Sequence, residues 1–61
     1  MPKYKVLVDV DQHSGDDDVF VVSVTVEAPS PAEAMALGEA EVIARYGESK
    51  VLGAWDAREL A

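Results

Sequence analysis

Ser30-Pro31-Ala32-Glu33 constrains the fold more than any other stretch of this chain. Ser30 is a strong N-cap residue, and Pro31 takes the first helical position, where its missing N–H costs nothing. Glu33 stands three residues after the cap and completes a capping-box pattern. The helix that opens here is predicted to run to Arg45 or Tyr46, with Gly47 as the residue past its end. Two alternating segments precede it. In Lys3 to Asp11, Tyr4, Val6, Val8 and Val10 share one face, and Lys3, Lys5, Leu7, Asp9 and Asp11 share the other. In Val19 to Glu27, Phe20, Val22, Val24 and Val26 oppose Val19, Val21, Ser23, Thr25 and Glu27. A period of two in segments rich in β-branched residues reads as half-buried strands. Gln12-His13-Ser14-Gly15-Asp16-Asp17-Asp18 joins them as a polar connection, so the pair forms a hairpin with a loop longer than the minimum.

After Gly47, Ser49 to Asp56 reads as a third, weaker strand. Val51, Gly53 and Trp55 share one face and Leu52 and Ala54 the other, and periodicity does not decide which face meets the helix. Ala57 to Ala61 reads as a frayed end. The order β-β-α-β predicts an α+β fold of one small domain, residues 1–61: a three-stranded antiparallel sheet with one helix packed on one face. The strand order 2-1-3 is favoured, since it is the split βαβ arrangement; the alternative, the third strand beside the second, creates a parallel edge pair. At 100° per residue, Ala32, Ala36, Ala40, Ile43 and Ala44 form the expected inner stripe of the helix. Leu37 flanks it on one side. Met35, Val42 and Tyr46 flank it on the other, with Glu39 among them. Glu41 and Arg45 mark the wet face, with Gly38 nearby.

At 61 residues the core is small, and short chains usually gain stability from a disulfide, a metal or a partner. The chain has no Cys and a single His, His13, so disulfides and a Cys/His zinc site are excluded. Good packing or oligomerisation remains, and a homodimer is expected. The 49% hydrophobic content argues against disorder. Twelve acidic against five basic residues give a formal charge of −7, which repels phosphate and anionic lipid and favours solubility. No signal-peptide pattern follows the basic residues Lys3 and Lys5, and no apolar run approaches the ~20 residues of a membrane span, so a cytoplasmic protein is expected.

Little here carries catalytic chemistry. Asp9, Asp11 and His13 have the spacing that begins a calcium loop, but Ser14 stands at the position of the required glycine and Phe20 at that of the bidentate glutamate. Asp16, Asp17 and Asp18 are expected to be solvated. His13 lies in a loop with no orienting partner, the serines belong to no nucleophile motif, and Gly15, Gly38, Gly47 and Gly53 are isolated rather than gathered in a phosphate loop. No catalytic residue, cofactor or metal is therefore assigned, and the chain is expected not to be an enzyme. A basic stripe of Lys3, Lys5 and Lys50 forms if the first and third strands are neighbours, but it reads as a soluble edge rather than a nucleic-acid surface.

The sheet face away from the helix carries Leu7 and Val21, with Trp55 or Leu52, and marks a candidate interaction surface. Met35, Val42 and Tyr46 on the helix flank are further candidates, and Trp55 is the foremost anchor, since buried Trp and Tyr carry much interface energy. An opposing reading makes Asp9, Asp11, Asp16, Asp17 and Asp18 a phosphate-like track that occupies a nucleic-acid-binding protein. The alternating hairpin, Glu27-Ala28-Pro29-Ser30-Pro31-Ala32-Glu33-Ala34, the Ala-rich acidic helix, Tyr46-Gly47-Glu48 and the final short strand together resemble the small β-β-α-β proteins encoded by bacteriophages of actinobacteria. That resemblance spans nearly the whole chain and carries no functional motif. It implies a non-catalytic binder directed at a host protein, acting in the host cytoplasm, and no site residues. The expected function is a protein-interaction module with a protein partner, self or host; the alternatives are an acidic nucleic-acid mimic and an accessory structural part of a larger particle.

Overall fold

A computed structural model describes residues 1–11 and 19–60. Strand β1 (Lys3–Asp11) and strand β2 (Val19–Glu27) are followed by helix α1 (Pro31–Tyr46), one turn of 3-10 helix (Glu48–Lys50) and strand β3 (Val51–Leu60). The sheet has the order β2-β1-β3, and both pairings are antiparallel. This is the expected α+β fold, with the favoured 2-1-3 order and not the alternative that sets the third strand beside the second. The hairpin loop Gln12 to Asp18, with His13 and the three consecutive aspartates, lies outside the described residues.

The helix begins as its sequence dictates. Ser30 is extended and its hydroxyl accepts a hydrogen bond from the Glu33 N–H at 3.3 Å, while the Ser30 carbonyl accepts from Ala34 N–H at 3.0 Å. These contacts satisfy donors that would otherwise have no partner in the first turn. At the other end Gly47, at φ 99°, donates its N–H to the Ile43 carbonyl at 2.8 Å. That backbone conformation is one a side chain strongly disfavours, which is why the helix ends on glycine.

Among the described residues, central strand β1 supplies half of the buried apolar side chains. Tyr4, Val6, Val8 and Val10 are buried, together with Val24, Ala28, Ala34 and Val42. The helix turns a different side to this layer from the one its alanines suggest. Ala34, Gly38 and Val42 are buried, whereas Ala32, Ala36, Ala40 and Ala44 are exposed and Ile43 is half-buried. The two rows lie two residues apart, about 200° around the axis. Burial of Val42, with Met35 and Ile43 at the margins, removes more apolar area from water than burial of four single methyl groups. Gly38 then allows the closest approach: a Cβ at that position would lie 2.7 Å from Val6 Cγ1 and 2.8 Å from Val6 Cβ.

Strand β3 also departs from simple alternation. It begins at Val51 rather than Ser49 and continues to Leu60, so residues 57–60 form part of the sheet instead of a frayed end. Ala57, Arg58, Glu59 and Leu60 pair with Val6, Lys5, Tyr4 and Lys3. The register shifts twice. Leu7 pairs with Asp56 and Val8 with Ala54, skipping Trp55; Asp9 pairs with Gly53 and Val10 with Val51, skipping Leu52. With one surplus residue at each shift, β3 meets the core at every third position, Val51, Ala54 and Ala57. Neither of the two alternating sets is therefore the inner one.

Candidate protein-interaction surface

The face of the sheet away from the helix is built from the outward positions of β1, since its inward neighbours are buried. Across the three strands these positions fall into rows. Glu27, Lys3 and Leu60 form the first, Thr25, Lys5 and Arg58 the second, and Ser23, Leu7 and Asp56 the third; Val21 then stands beside Asp9, and Val19 beside Asp11. Lys5, Leu7, Asp56 and Arg58 line a shallow open depression at the middle of this face. An Arg58–Asp56 ion pair of 3.7 Å bridges two of its walls. Arg58 is well exposed, so the pair contributes little to stability and leaves a usable charge on the surface.

The candidate contact residues separate into groups. Leu7 is half-buried and Val21 is 51% exposed, both on the open sheet face. Trp55 is 54% exposed and Leu52 60% exposed, and both are the surplus residues of the β3 register shifts. An indole placed there costs the core nothing, because the shift removes it from the ladder's inward positions. Val42 has no exposed surface and packs inside the core, so it is not a contact residue. Met35 is half-buried. Tyr46 is partly exposed, and its ring meets Phe20 edge-to-face at 5.7 Å with an interplanar angle of 71°, a contact within the chain itself. Sequence alternation has no means to single out Leu52 and Trp55 as a pair; their common origin is the doubled register shift.

The basic stripe has a different membership from the expected one. β1 and β3 are neighbours, but antiparallel, so Lys50 lies beyond the Val10–Val51 end of the ladder while Lys3 and Lys5 lie at the opposite end. Arg58 takes its place, directly beside Lys5. Asp9 and Asp11 occupy the outward positions of β1 on the same face. Asp16, Asp17 and Asp18 fall outside the described residues. Among the described residues no three His, Cys, Asp or Glu side chains gather as metal ligands, and no helix is long and apolar enough to cross a membrane.

On the other side of β3, the Glu39 carboxylate accepts a hydrogen bond from the Ala54 N–H at 3.2 Å. Gly53, at φ 147°, leaves room for that carboxylate: a Cβ there would stand 3.3 Å from Glu39 Oε1. The helix thus pins the strand between its two register shifts, beside the exposed residues Leu52 and Trp55. Comparison with protein-family models, with curated proteins and with solved structures finds no match to this chain.

Proposed function

We propose that this protein is a non-catalytic protein-interaction module that acts in the cytoplasm on a second copy of itself or on a protein of a host cell. The observation that carries this reading is a single-sided core: one helix covers one sheet face, while the other face and its β3 edge expose Val19, Val21, Leu52 and Trp55. Apolar side chains left exposed on a small domain are candidates for contact with a partner. The phage resemblance points to the same class of activity. Acidic mimicry is the second reading. Against it stands the layout of the open face, where Lys3, Lys5 and Arg58 occupy the half beyond Leu7 and confine the described acidic positions of β1, Asp9 and Asp11, to the other end.

Capture from host lysate on immobilised protein, followed by titration of whatever binds, tests the reading. Trp55→Ala should weaken binding by about 2 kcal/mol or more, roughly thirty-fold, as for an interface hot spot. Simultaneous Asp16→Asn, Asp17→Asn and Asp18→Asn should leave the affinity within a few-fold and alter its salt response only. Because Trp55 is exposed, its removal should leave the circular dichroism of the folded chain unchanged. Undiminished binding by Trp55→Ala beside loss of binding in the triple variant would transfer the function to mimicry.

A further inference from the structure

The outward row of β1 reads Lys3, Lys5, Leu7, Asp9, Asp11, which is charge-antisymmetric about Leu7. We propose that the open sheet face docks on a second copy of the same face, with the two β1 strands antiparallel and a two-fold axis passing at Leu7. This rests on the interaction reading above and names its partner and geometry. The axis lies in the plane between the sheets and runs across the strands. It places Leu7 on Leu7 and sets Lys5 of each copy over Asp9 of the other, two pairs at once. Val21 comes to rest on Thr25 of the second copy, and Ser23 on Ser23. A two-fold axis along the strands would instead set Lys5 on Lys5 and Asp9 on Asp9, and like charges repel. Charge pattern thus selects one of the two face-to-face arrangements.

Each element of the row has a separate role. Leu7 and Val21 supply apolar contact, while the Lys5 and Asp9 pairs sit on the central strand and fix register more than they add affinity. Asp56 lies in the row of Leu7 and approaches its own symmetry mate; Arg58, 3.7 Å away in the same chain, offsets that repulsion. Two such sheets pack about 10 Å apart with strands inclined by about 30°, so alignment is best near the axis and the positions next to Leu7 matter most. The footprint of three strands of nine to ten residues is about 400 Å² per copy. That is roughly half the area of a standard stable interface, so the dimer belongs to the weak class.

The test is reciprocal charge exchange read by sedimentation equilibrium. Lys5→Asp gives each copy two acidic positions flanking the axis, and Asp9→Lys gives each copy two basic ones. Either variant alone should dimerise at least ten-fold more weakly than the parent. An equimolar mixture should recover parent-like association, because every facing pair is again of opposite sign. One exchange lowers the formal charge of −7 by two and the other raises it by two, so the mixed dimer carries the same total charge as the parent dimer and net repulsion cannot explain recovery. Both positions point away from the core, and circular dichroism checks that each variant is folded. A parent that stays monomeric to about 1 mM, or a mixture that fails to associate, overturns this geometry. So does a parent dimer indifferent to both exchanges, an outcome that would leave the interaction reading standing on another surface. Loss of host-protein binding through Trp55→Ala concerns that reading alone and leaves the dimer test unaffected.

Discussion

Gly38 sits where the helix and the central strand touch, and its replacement sets two effects against each other. Alanine is a better helix residue than glycine by roughly 0.5–1 kcal/mol. The added methyl group, however, would fall inside contact distance of three carbon atoms of Val6, a side chain with no exposed surface. Overpacking of that kind typically costs about 1–3 kcal/mol, because a buried valine on a central strand has little freedom to move aside. Steric crowding therefore outweighs the gain in helix propensity: Gly38→Ala should lower stability by about 1–2 kcal/mol in chemical denaturation. A gain in stability would show that the helix and β1 stand further apart than the Gly38–Val6 contact requires. Gly38 was legible in the sequence as a glycine within a helix and no more. The close approach that requires it comes from Val6, 32 positions away in the chain, and local periodicity cannot report it.

At the scale of elements, β1, β2 and the ends of α1 follow from local rules, and β3 does not. The hairpin strands keep unbroken register from Lys3–Glu27 to Asp11–Val19, so alternation assigns every face correctly. Ser30, Pro31 and Gly47 mark both ends of the helix. Its rotation does not follow from the spacing of its alanines, because side-chain size counts for more, and Val42 and Gly38 decide the matter through packing. On β3, two surplus residues convert a period of two into a period of three, and the strand gains four residues whose composition suits a tail. Besides its ladder with β1, this irregular strand is tied to the helix by Glu39. Glu39→Ala leaves the Ala54 N–H without its partner and should cost about 1–2 kcal/mol. Glu39→Gln retains an accepting oxygen and should stay close to the parent. Hydrogen exchange at the Ala54 amide gives the direct reading: faster in Glu39→Ala, near parental in Glu39→Gln. Equal exchange in all three would mean that the carboxylate does not hold the strand.

For the whole molecule, the decisive property is that the core is one layer deep on one side only. Of the described apolar residues that are buried, all but Tyr4 are valine or alanine, so each kilocalorie added by a partner is a large share of the total. A face-to-face dimer adds stability of this kind by mass action. With dissociation near ~100 µM, raising the protein from about 10 µM to about 1 mM should stabilise the native state by about 1 kcal/mol. For a chain of this length that corresponds to a rise of roughly 5 °C in melting temperature. Asp9→Lys alone should flatten this concentration dependence. A melting temperature that is constant across that range in the parent would mean that folding and association are uncoupled.

The two edges of the sheet are unequal. On β3 each skipped residue breaks the even spacing of amide and carbonyl groups that an added strand would need, whereas β2 offers nine residues in regular order. Val19-Phe20-Val21-Val22-Ser23-Val24-Thr25-Val26 contains no charge, proline or glycine, the composition of segments that stack into cross-β assemblies. One side of the molecule is thus blunted against endless growth and the other is not. The acidity of the chain bears on that asymmetry: a formal charge of −7 on every copy raises the electrostatic cost of bringing two of the smooth β2 edges together, and salt lowers that cost.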